Sequence, residues 1–159
     1  MSDSNINATA TPVIAAGRRE LQLVTFRIGE REYGADVADV KGIYHGLPMI
    51  PTPDAPDVIA GDVHISGERI PVINLPRLFG NTSAERSSDW WIIVLNLLGG
   101  PIGFIVERVT EVVHLEPNAL RAKVNERHPA NEYVVAHAHH QHRVIALMDY
   151  TRLIQEHLQ

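Results

Sequence analysis

The stretch VIAGDVHISGERIPVINLPRLF, residues 58–79, can be laid without a gap on YVVAHAHHQHRVIALMDYTRLI, residues 133–154. In that register Ile70 meets Ile145, Val72 meets Leu147, Asn74 meets Asp149, Arg77 meets Arg152 and Leu78 meets Leu153. Each copy reads as a strand, a turn, a second strand and a short helical segment, with Asn74 and Asp149 where a helix N-cap belongs. The chain therefore reads as one small unit written twice.

The segments ahead of these copies repeat as well. LVTFRIG (23–29) has a partial period of two, and WWIIVLNLL (90–98) is a near-continuous apolar run of strand length; both predict strands, the second buried on both faces. After them, YGADVADVKGI (33–43) matches IGFIVERVTEV (102–112), pairing Gly34 with Gly103, Val37 with Val106, Val40 with Val109 and Ile43 with Val112. Apolar spacing of three would suit a helix. Gly34 and the β-branched residues favour instead a return strand carrying a bulge or a single helical turn.

A unit of about 65 residues with some five short strands is too small for a sandwich and suits a small barrel that closes its own edges. The expected fold is all-β with short helices, in two five-stranded barrels. The first spans about 19–80 and the second about 90–148, joined by a linker at 81–89 and followed by a C-terminal helix at 149–158; residues 1–18, mostly small and polar, read as a disordered tail. Val24, Phe26, Ile28, Ile70, Val72 and Leu78 would fill the first barrel, and Ile93, Leu95, Phe104, Val106, Val144, Ile145 and Leu147 the second. Apolar strand positions exceed what two small interiors accept, so the surplus belongs in the cleft between barrels or on an outer face that meets a protein partner.

Composition narrows the function. The chain has 159 residues, 45% of them hydrophobic, and no cysteine, which excludes disulfide frameworks, thiolate metal sites and cysteine nucleophiles. With 14 Lys+Arg against 19 Asp+Glu and a net charge of −5, it offers no basic stripe for nucleic acid. Neither a signal-peptide pattern nor a spanning-length apolar run occurs, so the expected location is cytoplasmic without membrane insertion.

The one feature that suggests chemistry is AHAHHQHRV (136–144), with His137, His139, His140 and His142 close together. A His-x-His pair on a strand can hold zinc or copper, but no His-Glu-x-x-His helix or carboxylate pair accompanies it. In the repeat register His140, Gln141 and His142 fall on Ile65, Ser66 and Gly67, the approach to a hairpin turn. The run therefore reads as decoration of a solvated bend. Glu30, Glu32, Asp36 and Asp39 likewise read as a solvated face. There is no nucleophile elbow, Walker sequence or dinucleotide fingerprint, and LGGP (98–101) reads as a hairpin turn. No catalytic residue, metal or cofactor is expected.

Four blocks then resemble the CheW family of bacterial chemotaxis adaptors. They are LVTFRIGEREYGADVADVKGI, IPTPDAPDVIAGDVHISGERIPVINLPRLFG, GFIVERVTEV and RVIALMDYTRLI, in order and at family-like spacing over about 22–158. The resemblance implies paired SH3-like five-stranded barrels and a non-enzymatic adaptor. It would couple the signalling tips of methyl-accepting chemoreceptors, docked in the cleft between barrels, to the regulatory domain of a CheA-type histidine kinase.

Carried over by position, the partner surface would comprise Val37, Val40, Gly42, Ile43, Gly61, Val63, His64, Ile65, Ser66 and Gly67, with Val106 and Val109 in the second unit. Gly42 stands where the family usually has glutamate, Ser66 where it has arginine and His64 where it has asparagine. Joint loss of an acid and a base is expected if the two face each other across neighbouring strands, so partner choice could differ. Two other readings are a metal-binding protein or metal-dependent enzyme built on 137–142, and a barrel that binds peptides outside chemotaxis.

Overall fold

Eleven strands and two α-helices account for most of the residues that the structure, a computed structural model, describes: 20–80, 90–122 and 128–158. The expected tail and the linker at 81–89 lie outside them. The strands are β1 (Leu21–Ile28), β2 (Arg31–Asp36), β3 (Val40–His45), β4 (Ile59–Ile65), β5 (Glu68–Asn74), β6 (Trp91–Leu97), β7 (Gly100–Val106), β8 (Arg108–Leu115), β9 (Leu120–Ala122), β10 (Val134–His140) and β11 (Arg143–Met148). A short helix, α1 (Leu75–Leu78), follows β5, and α2 (Tyr150–Leu158) follows β11. Both expected caps form: Asn74 Oδ1 accepts from the Arg77 amide at 3.1 Å and Asp149 Oδ1 from the Arg152 amide at 3.0 Å.

Strand order corrects the expected division into barrels at 19–80 and 90–148. One sheet runs β8-β1-β2-β11-β10-β9 and the other β3-β6-β7-β5-β4. The leading hairpin of each half is thus exchanged: β1–β2 completes the sheet made by the second half, and β6–β7 the sheet made by the first. The repeat governs the exchange, since Gly34 lies opposite Leu147 in the parallel β2–β11 pair and Gly103 opposite Val72 in the parallel β7–β5 pair.

The connections explain it. Between β2 and β3 there is a single 3-10 turn, Val37–Asp39, and between β7 and β8 only Glu107. Reversal into a hairpin usually takes a loop of two or more residues. The single residue Glu107 is too short for that, and Val37–Asp39, although long enough, is wound into a 3-10 turn; at both links the chain continues into the other sheet.

The apolar surplus is buried between the sheets. Val24, Phe26 and Ile28 of β1 meet Ile93 and Leu95 of β6, Phe104 and Val106 of β7, and Tyr150, Leu153 and Ile154 of α2 in the largest core cluster. Two smaller clusters fill the barrels: Leu21, Leu23, Val113, Leu115, Ile145 and Leu147 in the first sheet, and Val63, Ile70, Val72, Ile92, Val94 and Ile105 in the second. The near-continuous apolar run on β6 follows from this, because Ile92 and Val94 face a barrel interior while Ile93 and Leu95 face the shared core. Val24, Phe26, Ile28, Ile93, Leu95, Phe104 and Val106 therefore fill the shared core, not separate barrels. Val144 is exposed.

Candidate partner interface

β3 and the β4–β5 turn form the candidate surface. Burial alternates along β3, leaving Lys41, Ile43 and His45 exposed. Ile43 is 38% exposed, and the ring of His45 stacks on Trp91 of β6 at 4.3 Å. In the turn, Ser66 (φ 51°) and Gly67 (φ 81°) both adopt left-handed conformations, as a two-residue type I′ hairpin requires. His64, Ser66 and Gly67 are exposed and Ile65 half-buried.

Lys41 Nζ reaches Glu68 Oε1 at 3.2 Å, tying β3 to the residue that follows the turn. The sequence reading of a lost acid–base pair at Gly42 and Ser66 is thereby refined: the two segments are neighbours, but adjacent residues supply a pair of opposite polarity. Gly42 has a separate role. A Cβ there would lie 2.5 Å from the Tyr44 hydroxyl and 2.6–2.8 Å from its ring carbons, and the Tyr44 side chain packs on the second sheet's interior.

Several expected contact residues are structural. Val63 and Val106 have no exposed surface and so cannot touch a partner. Gly61 is buried at φ 136°, and a Cβ there would lie 2.2 Å from the Ile50 carbonyl oxygen. It holds the Ile50–Asp62 bridge and offers no contact surface. Val37, Val40 and Val109 are half-buried against the shared core, at the rim between the sheets.

The second sheet edge is built alike. Strands β3 and β8 each carry a bulge at the equivalent place, leaving Lys41 and Thr110 as the extra residues. Next to Thr110, Glu111 contacts Arg143, the first residue after the β10–β11 turn. Arg143 also grips Glu32 bidentately, Nε to Oε1 at 3.0 Å and Nη2 to Oε2 at 2.7 Å. Thr110 Oγ1 donates to Glu32 Oε2 at 3.3 Å and is hydrogen-bonded to the Thr25 hydroxyl. Burial would raise the Glu32 pKa, but the hydrogen bonds and charge of Arg143, with the threonine hydroxyls, outweigh it and hold the carboxyl below its usual range. Glu32 is thus a buried structural acid, not part of the expected solvated face.

The histidine run divides. Gln141 (φ 49°) and His142 (φ 68°) form the turn, His139 is exposed and His140 half-buried. His137 is 4% exposed, because β10 lies between β11 and β9 at this point; it departs from the solvated reading. His137 and His139 line a cavity of about 470 Å³ with Arg27, Arg31 and Arg143. Among the described residues, no group of three or more His, Asp or Glu is placed to hold a metal ion.

Sequence reasoning passed over Lys41, His45 and Glu68. A period of two in VKGIYH was the available signal for the first two. Glu68 needed the tertiary neighbour.

Residues 22–158 match the CheW-like domain. The chain belongs to the CheW-like family. It is 34% identical over 104 residues to the chemotaxis protein CheW of Treponema pallidum, a match covering 63% of this chain and 61% of that protein. With the CheW of Thermotoga maritima it shares 27% over 107 residues, 67% of this chain and 70% of that one. The chain spans about three-fifths of the Treponema protein and 59% of the Rhizobium meliloti CheW. The crystal structure of the scaffolding protein TtCheW from Thermoanaerobacter tengcongensis superposes with a TM-score of 0.73 and 29% identity, over 81% of this chain and 88% of that one. The CheW fold of two packed sheets is therefore shared.

Proposed function

We propose that the protein is a non-enzymatic adaptor linking chemoreceptors to a CheA-type histidine kinase, working in the cytoplasm beside membrane receptors. The observation that carries this is a CheW-like domain spanning 22–158 in a two-sheet fold whose β3 edge leaves Ile43 exposed between Lys41 and His45. Barrel edges of this kind suit pairing with a barrel of the kinase regulatory domain. In this reading Lys41, Ile43, His64, Ile65, Ser66 and Gly67 make the kinase face. A receptor's helical tip lies along the rim formed by Val37, Val40 and Val109.

In the histidine run His137, His139 and His140 lie on β10 and His142 in the turn, and among the described residues no group of three or more His, Asp or Glu is placed to hold a metal ion. The test is a titration of the purified protein with a CheA-type regulatory domain and with a receptor signalling tip. Binding to either is expected, with kinase binding lost on Ile43→Asp and receptor binding retained. Failure to bind both refutes the proposal.

A further inference from the structure

The two sheets carry an ion pair at the same place with opposite polarity. In the repeat register Gly42 corresponds to Glu111 and Glu68 to Arg143, so the second unit has an acid on the edge strand and a base after the turn. The first unit has a base, Lys41, on the edge strand and an acid, Glu68, after the turn. The acid-on-strand, base-on-turn order also matches the family pattern that Gly42 and Ser66 depart from.

The two pairs differ in setting. Arg143 is anchored by Glu32, whose side chain is 7% exposed, whereas the residue corresponding to Glu32 is Pro101, whose side chain has no acceptor for Lys41. Lys41 and Glu68 each keep 47% of their side chains exposed. A pair so exposed contributes almost nothing to folding. Yet it stands beside Ile43 and next to the Ser66–Gly67 turn, within the proposed kinase face. When a partner covers such a pair, its charges set register and reject surfaces with like charges opposite, which is selectivity more than affinity.

We infer that the Lys41–Glu68 pair selects the partner by polarity. The first-unit edge accepts a protein surface that presents a carboxylate to Lys41 and a guanidinium or ammonium to Glu68, and it disfavours surfaces fitted to the reverse order. This rests on the proposed adaptor reading and names the selectivity device within it.

The experiment is calorimetric titration, at low and at physiological salt, of the regulatory domain of the CheA-type kinase from the same genome into the wild type and the charge-swapped K41E/E68K. The swap keeps an internal ion pair, so its melting temperature should match the wild type. The expected result is a weakening of at least about tenfold, larger at low salt. Affinity within twofold of wild type overturns the inference while leaving the adaptor reading intact. If the wild type itself does not bind, the kinase assignment fails and the inference with it, a result seen before any variant is compared. Should the swap unfold, K41A/E68A decides in its place: weakened binding supports polarity selection, and unchanged binding overturns it.

Discussion

Replacing Arg143 by methionine tests the reading of Glu32 as a buried acid held by a single base. The guanidinium supplies two hydrogen bonds to a carboxylate whose side chain is 7% exposed. Without it, Glu32 retains hydroxyl contacts but no charge partner. Removing one member of a fully buried ion pair costs about 3–5 kcal/mol. Arg143 is 30% exposed and the site opens on a cavity that water can enter, so about half of that, ~2 kcal/mol, is expected. For a domain of this size that lowers Tm by roughly 4–8 °C.

The pH dependence has a definite sign. Because the folded Glu32 pKa is depressed, the wild-type contribution is complete above the unfolded value of about 4.3 and is lost as pH falls through the lower folded value. In Arg143→Met burial outweighs the remaining threonine hydroxyl contacts and raises the pKa, so the deficit relative to wild type is greatest at neutral pH and shrinks in acid. Urea unfolding followed by tryptophan fluorescence at pH 7 and pH 3.5 measures both quantities. Replacing both partners by methionine should recover much of the loss, because an apolar pair leaves no stranded charge. A deficit under about 0.5 kcal/mol at pH 7, against the ~2 expected, or one of equal size at both pH values, refutes the account.

Gly61→Ala should cost upwards of about 2 kcal/mol, since its φ of 136° and its 2.2 Å approach to the Ile50 carbonyl leave no room for a methyl group; thermal unfolding measures it, and a Tm within 2 °C of wild type would contradict the strain argument. Gln141→Asn/His142→Gly should raise stability by about 0.5–1 kcal/mol, because both positions have positive φ, and should leave partner binding unchanged; lost binding would give the turn histidines a role. Gly42→Glu should displace the Tyr44 ring and lower stability by about 1 kcal/mol or more. Unchanged tyrosine resonances in a two-dimensional NMR spectrum would show that Tyr44 does not occupy that space.

The turns were legible locally because each rests on its own residues. Ser66–Gly67 and Gln141–His142 sit at matching points of the two copies, and both adopt the left-handed conformations that a two-residue hairpin needs. The caps at Asn74 and Asp149 were legible for the same reason. The candidate site was legible only in part. Ile43 and the turn are exposed as expected, but Val63 shows the same apolar strand chemistry as Ile43 and is buried, and only the position of a strand's neighbours separates the two cases.

By itself, the sequence determined that this is a duplicated β unit with capped short helices, because those properties follow from spacing along the chain. The tertiary structure alone decided which hairpin joins which sheet. Both halves present equivalent partners, so local pattern is degenerate, and at both Val37–Asp39 and Glu107 the chain passes from one sheet into the other instead of folding back as a hairpin. The same exchange brings Glu32 to Arg143 across more than two-thirds of the chain. Pairing of β10 with both β11 and β9 buries His137, and the Lys41–Glu68 pair lies exposed beside the edge strand β3.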